Sequence, residues 1–111
     1  MPKKSLEILT EPMYYVLLSL LSERCGTEIM KNVEEISKNR VHIGPGTLYT
    51  MLSKFLEVGL IQNSANSENK KSYTITEKGI KLLKEEHSRL YHSYLDGVNL
   101  LEGLKWKLKF C

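Results

Sequence analysis

The spacing of apolar residues predicts four helices in this chain, and the first is apolar around most of its circumference. It is predicted to begin at Glu11 and Pro12, because proline is favoured in the first turn of a helix. The residues that follow the spacing of a single buried face are Met13, Val16, Leu17, Leu20 and Leu21. Tyr14 and Leu18 widen that face beyond what one neighbouring helix needs. Either contact with a second subunit or a core that surrounds the helix would produce this pattern.

Glycines mark the starts of the next two helices. Gly26 separates the first helix from a short second helix, for which Thr27 is the predicted cap. The inward residues of the second helix are predicted to be Ile29, Val33 and Ile36. The third helix follows a Gly-Pro-Gly turn at 44–46, begins at Thr47 and ends at Gly59. Its predicted core face is formed by Leu48, Met51, Leu52, Phe55, Leu56 and Val58.

The opposite face of the third helix is rich in hydroxyl groups. Its residues are Thr47, Tyr49, Thr50, Ser53, Lys54 and Glu57. A helix face that contacts only solvent would normally carry more lysine and glutamate. Small hydroxyl side chains let a helix approach another large molecule closely, and tyrosine and lysine can reach phosphate groups at its edges. The pattern therefore favours a surface that contacts nucleic acid.

A two-stranded hairpin is predicted after the third helix. Residues 60–64 and 70–75 have the composition of strands, and the polar segment 65–69 is typical of a turn. Lys70 and Lys71 follow this turn and could contact phosphate groups. An ordinary solvated turn would have the same composition, so the hairpin alone does not decide between these interpretations.

The last helix is too long for a domain of this size to cover. Thr76 is its predicted cap, and Glu77 in the first turn is favourable for the helix dipole. A heptad-like register of roughly 25 residues, about 37 Å long, runs through Ile80, Leu83, His87, Leu90, Tyr94, Gly97, Leu101 and Leu104. Its distal half must pack against something outside its own domain, and a second copy of the chain is the simplest candidate. The predicted dimer interface comprises Tyr14, Leu18, Leu83, His87, Leu90, Tyr91, Tyr94, Val98 and Leu101.

The end of the chain alternates apolar residues with lysines. Leu104, Trp106, Leu108 and Phe110 alternate with Lys105, Lys107 and Lys109, which is the period of a strand. The segment is interpreted as a frayed basic tail or a short edge strand. A surface that stacks on nucleic acid or lies on anionic lipid is the alternative.

Composition fits one compact domain and indicates no catalytic chemistry. The 111 residues are 41% apolar and 26% charged, with a net charge of +3 that permits an anionic partner without requiring one. Cys25 and Cys111 are too far apart in sequence to suggest a disulfide framework or a zinc site, which favours a reducing cytoplasm. No apolar run is long enough to span a bilayer, so we expect no membrane partner.

The acidic residues and the histidines also lack the spacing of an active site. The three histidines, His42, His87 and His92, show neither metal-ligand nor catalytic-triad spacing. The scattered glutamates and aspartates are interpreted as surface residues. We therefore expect no catalytic residue, no metal ion and no cofactor.

The order of elements predicts a mainly α fold with a small β-hairpin. It is the order of a winged helix-turn-helix with a long C-terminal dimerisation helix appended. The corresponding divisions are a DNA-binding domain at 1–75, the dimerisation helix at 76–104 and a basic tail at 105–111, all in one compact unit.

Three motifs in the chain resemble the PadR family of transcriptional regulators. They are LTEPMYYVLLSLL at 9–21, GPGTLYTMLSKFLEVGLI at 44–61 and KKSYTITEKG at 70–79. The resemblance implies a homodimer that binds a palindromic operator in double-stranded DNA, with the third helix in the major groove and the hairpin wing beside the DNA backbone or the minor groove. By position, the implied DNA contacts are Thr47, Tyr49, Thr50, Ser53, Lys54, Lys70 and Lys71. We therefore expect a sequence-specific transcriptional repressor, and a winged-helix module that binds proteins without binding DNA is the alternative.

The sequence does not decide whether a small aromatic effector releases the protein from DNA. Tyr15, Leu90 and Tyr94 could line a pocket between subunits, but aromatic residues there could equally pack the dimer. Some short family members hold flat aromatic drugs with a tryptophan on the last helix, whereas the single tryptophan here, Trp106, lies in the tail. The resemblance therefore does not imply that this protein binds such drugs. The wing also departs from the family pattern, since Ser72 stands where an aromatic residue is usual.

Overall fold

Four helices and a three-stranded antiparallel sheet form the fold. The structure, a computed structural model, describes residues 9–64 and 71–110, with side chains described as far as residue 104. In chain order the elements are α1 (Glu11–Ser19), β1 (Arg24–Cys25), α2 (Gly26–Ile36), α3 (Pro45–Glu57), β2 (Ile61–Ser64), β3 (Ser72–Ile75) and α4 (Glu77–Phe110). The strand order is β1-β3-β2. The predicted fold class, a mainly helical winged helix-turn-helix with a long last helix, is confirmed.

Side-chain caps fix where three of the helices begin. The Thr10 hydroxyl accepts a hydrogen bond from the Met13 backbone N–H at 3.3 Å. Thr76 is the predicted cap of α4, and its hydroxyl accepts from the Gly79 N–H at 3.1 Å, which confirms that prediction. The cap of α2 is Cys25 and not the predicted Thr27.

The α2 cap works through an acidic side chain rather than a hydroxyl. The Cys25 backbone N–H donates to the Glu28 carboxylate at 2.8 Å, because Glu28 is three residues into the helix and can reach back to its start. Thr27 was predicted as the cap because a threonine hydroxyl after a glycine is a common start of a helix. Glu28 thus has a structural role in addition to its exposure to solvent.

The sheet contains one more strand than the sequence predicts. In β1, Arg24 pairs with Tyr73 and Cys25 pairs with Ser72. The β2–β3 hairpin is present as predicted, with Ile61 opposite Ile75. A two-residue strand is too short to show an alternating pattern, which is why the sequence did not reveal β1.

The core lies between α1, α2, α3 and the sheet. The largest side chains that are almost wholly buried are Phe55, Leu17, Leu20, Ile29, Leu48, Leu52, Val16 and Val33. The prediction that Leu21 and Ile36 are buried in the core is wrong for this protomer, since Leu21 is 55% exposed and Ile36 is 43% exposed. Leu21 lies beyond the end of α1, where helical periodicity no longer applies, and Ile36 is the last residue of α2.

Helix α4 is longer than predicted because it continues through the alternating segment. It has 34 residues and ends at Phe110, so the interpretation of 105–110 as a strand or frayed tail is wrong. Leucine and lysine are both good helix formers, and their propensity outweighs a strand-like alternation over so few residues. The proposed contacts of this tail with nucleic acid or lipid concern side chains outside the described part of the structure.

The first turns of α4 attach it firmly to the domain. At Gly79, a Cβ would overlap the Leu60 carbonyl oxygen and the Ile75 side chain, so only glycine permits this close approach. Two turns later, Glu86 is only 4% exposed and accepts hydrogen bonds from the Leu9 N–H and the Arg89 guanidinium. The hydrogen bond from Arg89 holds the pKa of the Glu86 carboxyl below its ordinary value, and the Leu9 N–H adds to this against the opposing effect of burial. The interpretation of helix carboxylates as surface residues is therefore wrong for Glu86.

Candidate nucleic-acid interface

Helix α3 presents one polar face to solvent. Leu48, Met51, Leu52 and Phe55 anchor its other face in the core. Of the predicted contact residues on this helix, Thr47, Tyr49, Thr50 and Ser53 are exposed and Lys54 is half-buried. The structure thus brings these five side chains onto one accessible surface, starting from a helix that opens at Gly44 and Pro45. The N–H groups of its first turn lack partners within the helix and point outward from its N-terminus.

Tyr49 lies against the start of α2. A Cβ at Gly26 would overlap the Tyr49 hydroxyl, so the tyrosine ring can lie there only because residue 26 is glycine. The same ring lies near Tyr73 on β3, where burial and the nearby Tyr49 raise the pKa of the Tyr73 phenol. Tyr49 is therefore held between α2 and the wing, although its ring remains 46% exposed.

A crevice joins α3 to the wing. It has a volume of about 340 Å³ and is lined by Cys25, Gly26, Thr27, Tyr49 and Lys71. Two predicted contact residues, Tyr49 and Lys71, thus lie at one site with the first residues of α2. The sequence missed Gly26 and Thr27 as members of this site, because glycine and threonine at a helix start are fully explained by capping.

The wing is described only at its base. Lys71 is exposed there, whereas Lys70 and the predicted turn at 65–69 lie outside the described residues. Ser72 is 8% exposed and pairs with both Cys25 and Ser64 across the sheet. A small residue at this position therefore lies inside the three-stranded sheet.

The residues of the predicted dimer interface fall into three groups by exposure in the protomer. His87, Leu90, Tyr91, Tyr94 and Leu101 on α4 are exposed, and the last two are 69% and 65% exposed. Tyr14, Leu18 and Val98 are half-buried. Leu83 is only 5% exposed, because it packs into the core of its own protomer and has little surface left for a partner.

An apolar groove lies between α1 and α4 at the base of this surface. Its volume is about 190 Å³, and it is lined by Tyr14, Leu18, Leu21, Ile80, Leu83, Lys84 and His87. The Tyr14 hydroxyl and the His87 Nδ1 are 3.1 Å apart across it. Burial raises the pKa of the Tyr14 phenol, with smaller contributions from Tyr15 and Glu86.

The predicted effector pocket is not closed within one protomer. The Tyr15 hydroxyl accepts a hydrogen bond from Arg40 at 2.8 Å, and the Arg40 guanidinium lies 6.0 Å from the Tyr15 ring centre. Leu90 and Tyr94 project from α4 and are 40% and 69% exposed. A pocket formed by Tyr15, Leu90 and Tyr94 would need a second subunit to enclose it.

Each histidine has a structural partner. His42 Nδ1 lies 3.0 Å from the Glu34 carboxylate, His87 contacts Tyr14, and His92 contacts the Ser88 carbonyl oxygen at 2.8 Å. Among residues 9–64 and 71–110, no cluster of three or more His, Cys, Asp or Glu side chains could hold a metal ion. In the same described ranges, none of the helices combines the length and apolar character that crossing a membrane requires.

Comparison with known proteins assigns the chain to a family. The family model described as "Transcriptional regulator PadR-like family" matches residues 16–85. Among curated proteins, none matches the chain significantly. The structure of a transcriptional regulator from Clostridium thermocellum is 27% identical, with a TM-score of 0.64 over 78% of this chain and 86% of that chain.

Two further solved structures share the fold at lower identity. A PadR family transcriptional regulator from Eggerthella lenta is 24% identical, with a TM-score of 0.64 over 80% of this chain and 79% of that chain. A PadR-like transcriptional regulator from Bacillus cereus is 21% identical, with a TM-score of 0.67 over 81% of this chain and 89% of that chain. Because the family model covers more than half of the residues, the protein belongs to the PadR-like family and is a transcriptional regulator rather than an enzyme.

Proposed function

We propose that the protein is a repressor that binds a palindromic operator in double-stranded DNA as a homodimer. The observation that carries this proposal is the exposed polar face of α3, whose residues Thr47, Thr50 and Ser53 are uncharged and short. Such side chains allow the helix axis to approach base edges in a major groove. Long charged side chains would hold the helix further from the bases.

Positive groups at both edges of this face support contact with the DNA backbone. Lys54 lies on α3 itself, and Lys71 lies at the base of the wing beside Tyr49. Lysine contacts to phosphates position a protein on a duplex without reading its sequence, whereas side chains at base edges determine sequence preference. The proposed division of roles is therefore Lys54, Lys70 and Lys71 for phosphates, with Thr47, Thr50 and Ser53 for bases.

Tyr49 is proposed both to pack against the start of α2 and to donate a hydrogen bond to a DNA phosphate. Its ring packs against Gly26 and its hydroxyl lies near the first turn of α2, where backbone N–H groups are free of helix partners. A phosphate next to this turn would receive hydrogen bonds from α2 and from Tyr49 together.

Dimerisation through α4 supports a palindromic operator. The exposed apolar residues of α4 run from Leu90 to Leu104, far beyond the part of the helix that its own core covers. A two-fold interface between two α4 helices would leave two α3 helices free for successive major grooves on one side of a duplex. A regulator of transcription must reach chromosomal DNA, so the proposed location is the cytoplasm. The proposal includes a small aromatic effector bound between subunits, because the exposed Leu90 and Tyr94 on α4 offer it an apolar and aromatic surface.

Binding measurements on matched variants test this division of roles. Lys71→Ala should weaken binding to an operator and to random duplexes equally, and it should reduce the dependence of the binding constant on salt by about one ion per protomer. Thr50→Ala and Ser53→Ala should change the preference between sequences while leaving the salt dependence unchanged. Lys81→Ala, on the exposed side of α4, is the charge-matched control for Lys71→Ala.

The outcomes separate DNA binding from the alternative. Equal losses on operator and random DNA for Thr50→Ala and Ser53→Ala would contradict the assignment of base contacts to α3. If the wild-type protein bound no duplex at low salt, the function of the fold would be protein interaction, and the present proposal would fail.

A further inference from the structure

A second concavity flanks α3 on the side away from the wing. It lies between the first turn of α1 and the polar face of α3, and its volume is about 810 Å³. Its lining residues are Met13, Gly46, Thr47, Thr50, Met51 and Lys54. Three of these, Thr47, Thr50 and Lys54, belong to the proposed DNA-contacting face, so the concavity is continuous with that face.

The lining of the concavity is mainly apolar although it opens onto a polar surface. Met13 and Met51 contribute thioether chains, and the two threonines contribute a methyl group beside each hydroxyl. At Gly46, a Cβ would meet no non-neighbouring atom of the described residues within 4 Å, so the described part of the chain leaves space beside the start of the helix. Lys54 is half-buried, so part of its aliphatic stem is covered while its ammonium group can reach solvent.

Helix α3 carries few side chains that recognise purines by paired hydrogen bonds. The sequence PGTLYTMLSKFLE contains no Arg, Asn or Gln, so Lys54 is the one side chain of this helix that could bind a purine, guanine, through two hydrogen bonds in the major groove. Threonine and serine hydroxyls can donate or accept, so they discriminate weakly between bases. A methyl-lined surface, in contrast, distinguishes thymine from the other bases, because only thymine carries a 5-methyl group in the major groove.

We propose that this concavity receives the 5-methyl groups of thymines in the operator, and that Thr47, Thr50 and Met13 thereby determine a preference for T-containing half-sites. The inference rests on the proposed function, because it requires α3 to enter a major groove. It specifies which chemical feature of the DNA the protein reads, namely the 5-methyl group of thymine. It also assigns a specificity role to Met13, which belongs to α1 rather than to the recognition helix.

Deoxyuridine substitution tests the inference without changing the protein. A preferred duplex is first obtained by selection from a random duplex library, and each thymine is then replaced by deoxyuridine, which lacks only the 5-methyl group. Loss of one buried methyl should weaken binding about fourfold at each contacted position. Replacement of thymines outside the half-sites should leave binding unchanged and serves as the control.

Two conservative variants connect the effect to the concavity. Thr50→Ser removes a methyl group and keeps the hydroxyl, so the ratio of thymine to deoxyuridine binding should fall toward one at the contacted position. Ser93→Ala alters an exposed residue of α4 away from the concavity and should leave that ratio unchanged. Both positions are exposed, so neither substitution should disturb folding.

The results distinguish failure of the inference from failure of the proposed function. A selected duplex that binds tightly but tolerates deoxyuridine at every position would overturn the inference and leave sequence-specific DNA binding intact. The same holds if Thr50→Ser keeps the full discrimination of the wild type. If no sequence is enriched at all, DNA recognition itself fails, and the inference fails with it.

Discussion

Replacing Leu101 by alanine should dissociate the proposed dimer. Leu101 is 65% exposed in the protomer and lies on the α4 face that also carries Tyr94 and Val98. Full burial of a leucine side chain contributes about 1.5–3 kcal/mol, so burial of the part still exposed contributes about 1–2 kcal/mol for each copy. A two-fold interface contains the residue twice, which gives about 2–4 kcal/mol per dimer. At about 1.4 kcal/mol per tenfold change, the dissociation constant should rise by about 30-fold to 700-fold.

Leu100 offers a control of identical chemistry. It is 76% exposed and is the preceding residue on the same helix, so it lies about 100° around α4 from Leu101. Leu100→Ala removes the same atoms from a different face. It should change the dissociation constant by less than about threefold, the effect of a typical surface substitution of up to 0.5 kcal/mol.

Sedimentation equilibrium over a wide concentration range measures both variants against the wild type. Circular dichroism at one concentration checks that the helices remain folded. If Leu101→Ala dimerised as tightly as the wild type, α4 would not form the interface through this face. Equal weakening by Leu100→Ala would also refute the reasoning, because the effect would then not depend on the face of the helix.

Three further predictions concern the protomer itself. Gly79→Ala should destabilise the fold by about 1–3 kcal/mol in chemical denaturation, because its methyl group would overlap the Leu60 carbonyl oxygen, which cannot rotate away. Glu86→Gln should reduce the free energy of unfolding at neutral pH by about 1–2 kcal/mol, through loss of the charge-assisted hydrogen bonds with Arg89. Folding lowers the pKa of Glu86, so the stabilisation by its charged carboxylate is complete above the ordinary carboxyl pKa and is lost as the pH falls through the lowered pKa of the folded protein. The free energy of unfolding of Glu86→Gln should therefore decrease less between neutral and acidic pH than that of the wild type. Gly26→Ala should displace the Tyr49 ring and weaken DNA binding, while the melting temperature changes little because the displaced group is the end of an exposed side chain.

Each of these predictions has a matched control and a contrary outcome. Gly103→Ala on the same helix meets none of the described atoms within 4 Å and should stabilise by about 0.5–1 kcal/mol, so equal destabilisation by both glycine variants would contradict the packing argument. Glu85→Gln alters an exposed neighbour and should leave the pH profile of stability unchanged. For Gly26→Ala, unchanged affinity for a selected duplex would show that the position of Tyr49 does not matter for binding.

Periodicity and helix punctuation predicted most of the fold. The Gly-Pro-Gly segment before Thr47 and the apolar spacing from Leu48 to Phe55 placed the start of α3 within two residues of its observed position at Pro45 and separated its two faces. These signals are local, because each depends only on residues within the helix or the turn before it. The outward location of Thr47, Thr50 and Ser53 follows from the same spacing, so this part of the candidate site was predictable.

Several features that the sequence missed depend on contacts between distant segments. Strand β1 exists because Arg24 and Cys25 pair with residues almost fifty positions later. Glu86 is buried beside Leu9, 77 residues earlier, whose N–H donates a hydrogen bond to its carboxylate. Likewise, no local pattern indicates that Tyr49 packs on Gly26. The error at the C-terminus has another cause, since a strand-like alternation of leucine and lysine was given more weight than the helix propensity of both residues.

Selection from a random duplex library, followed by sedimentation of the protein with the enriched duplex, addresses both sequence recognition and dimerisation. We predict an inverted repeat whose half-site centres lie about 10–10.5 base pairs apart, or a multiple of this, and a complex of two protein chains with one duplex. Failure to enrich any sequence would contradict the assignment of α3 as a base-reading helix. A single chain bound to the enriched duplex at saturation would contradict the proposed α4 dimer.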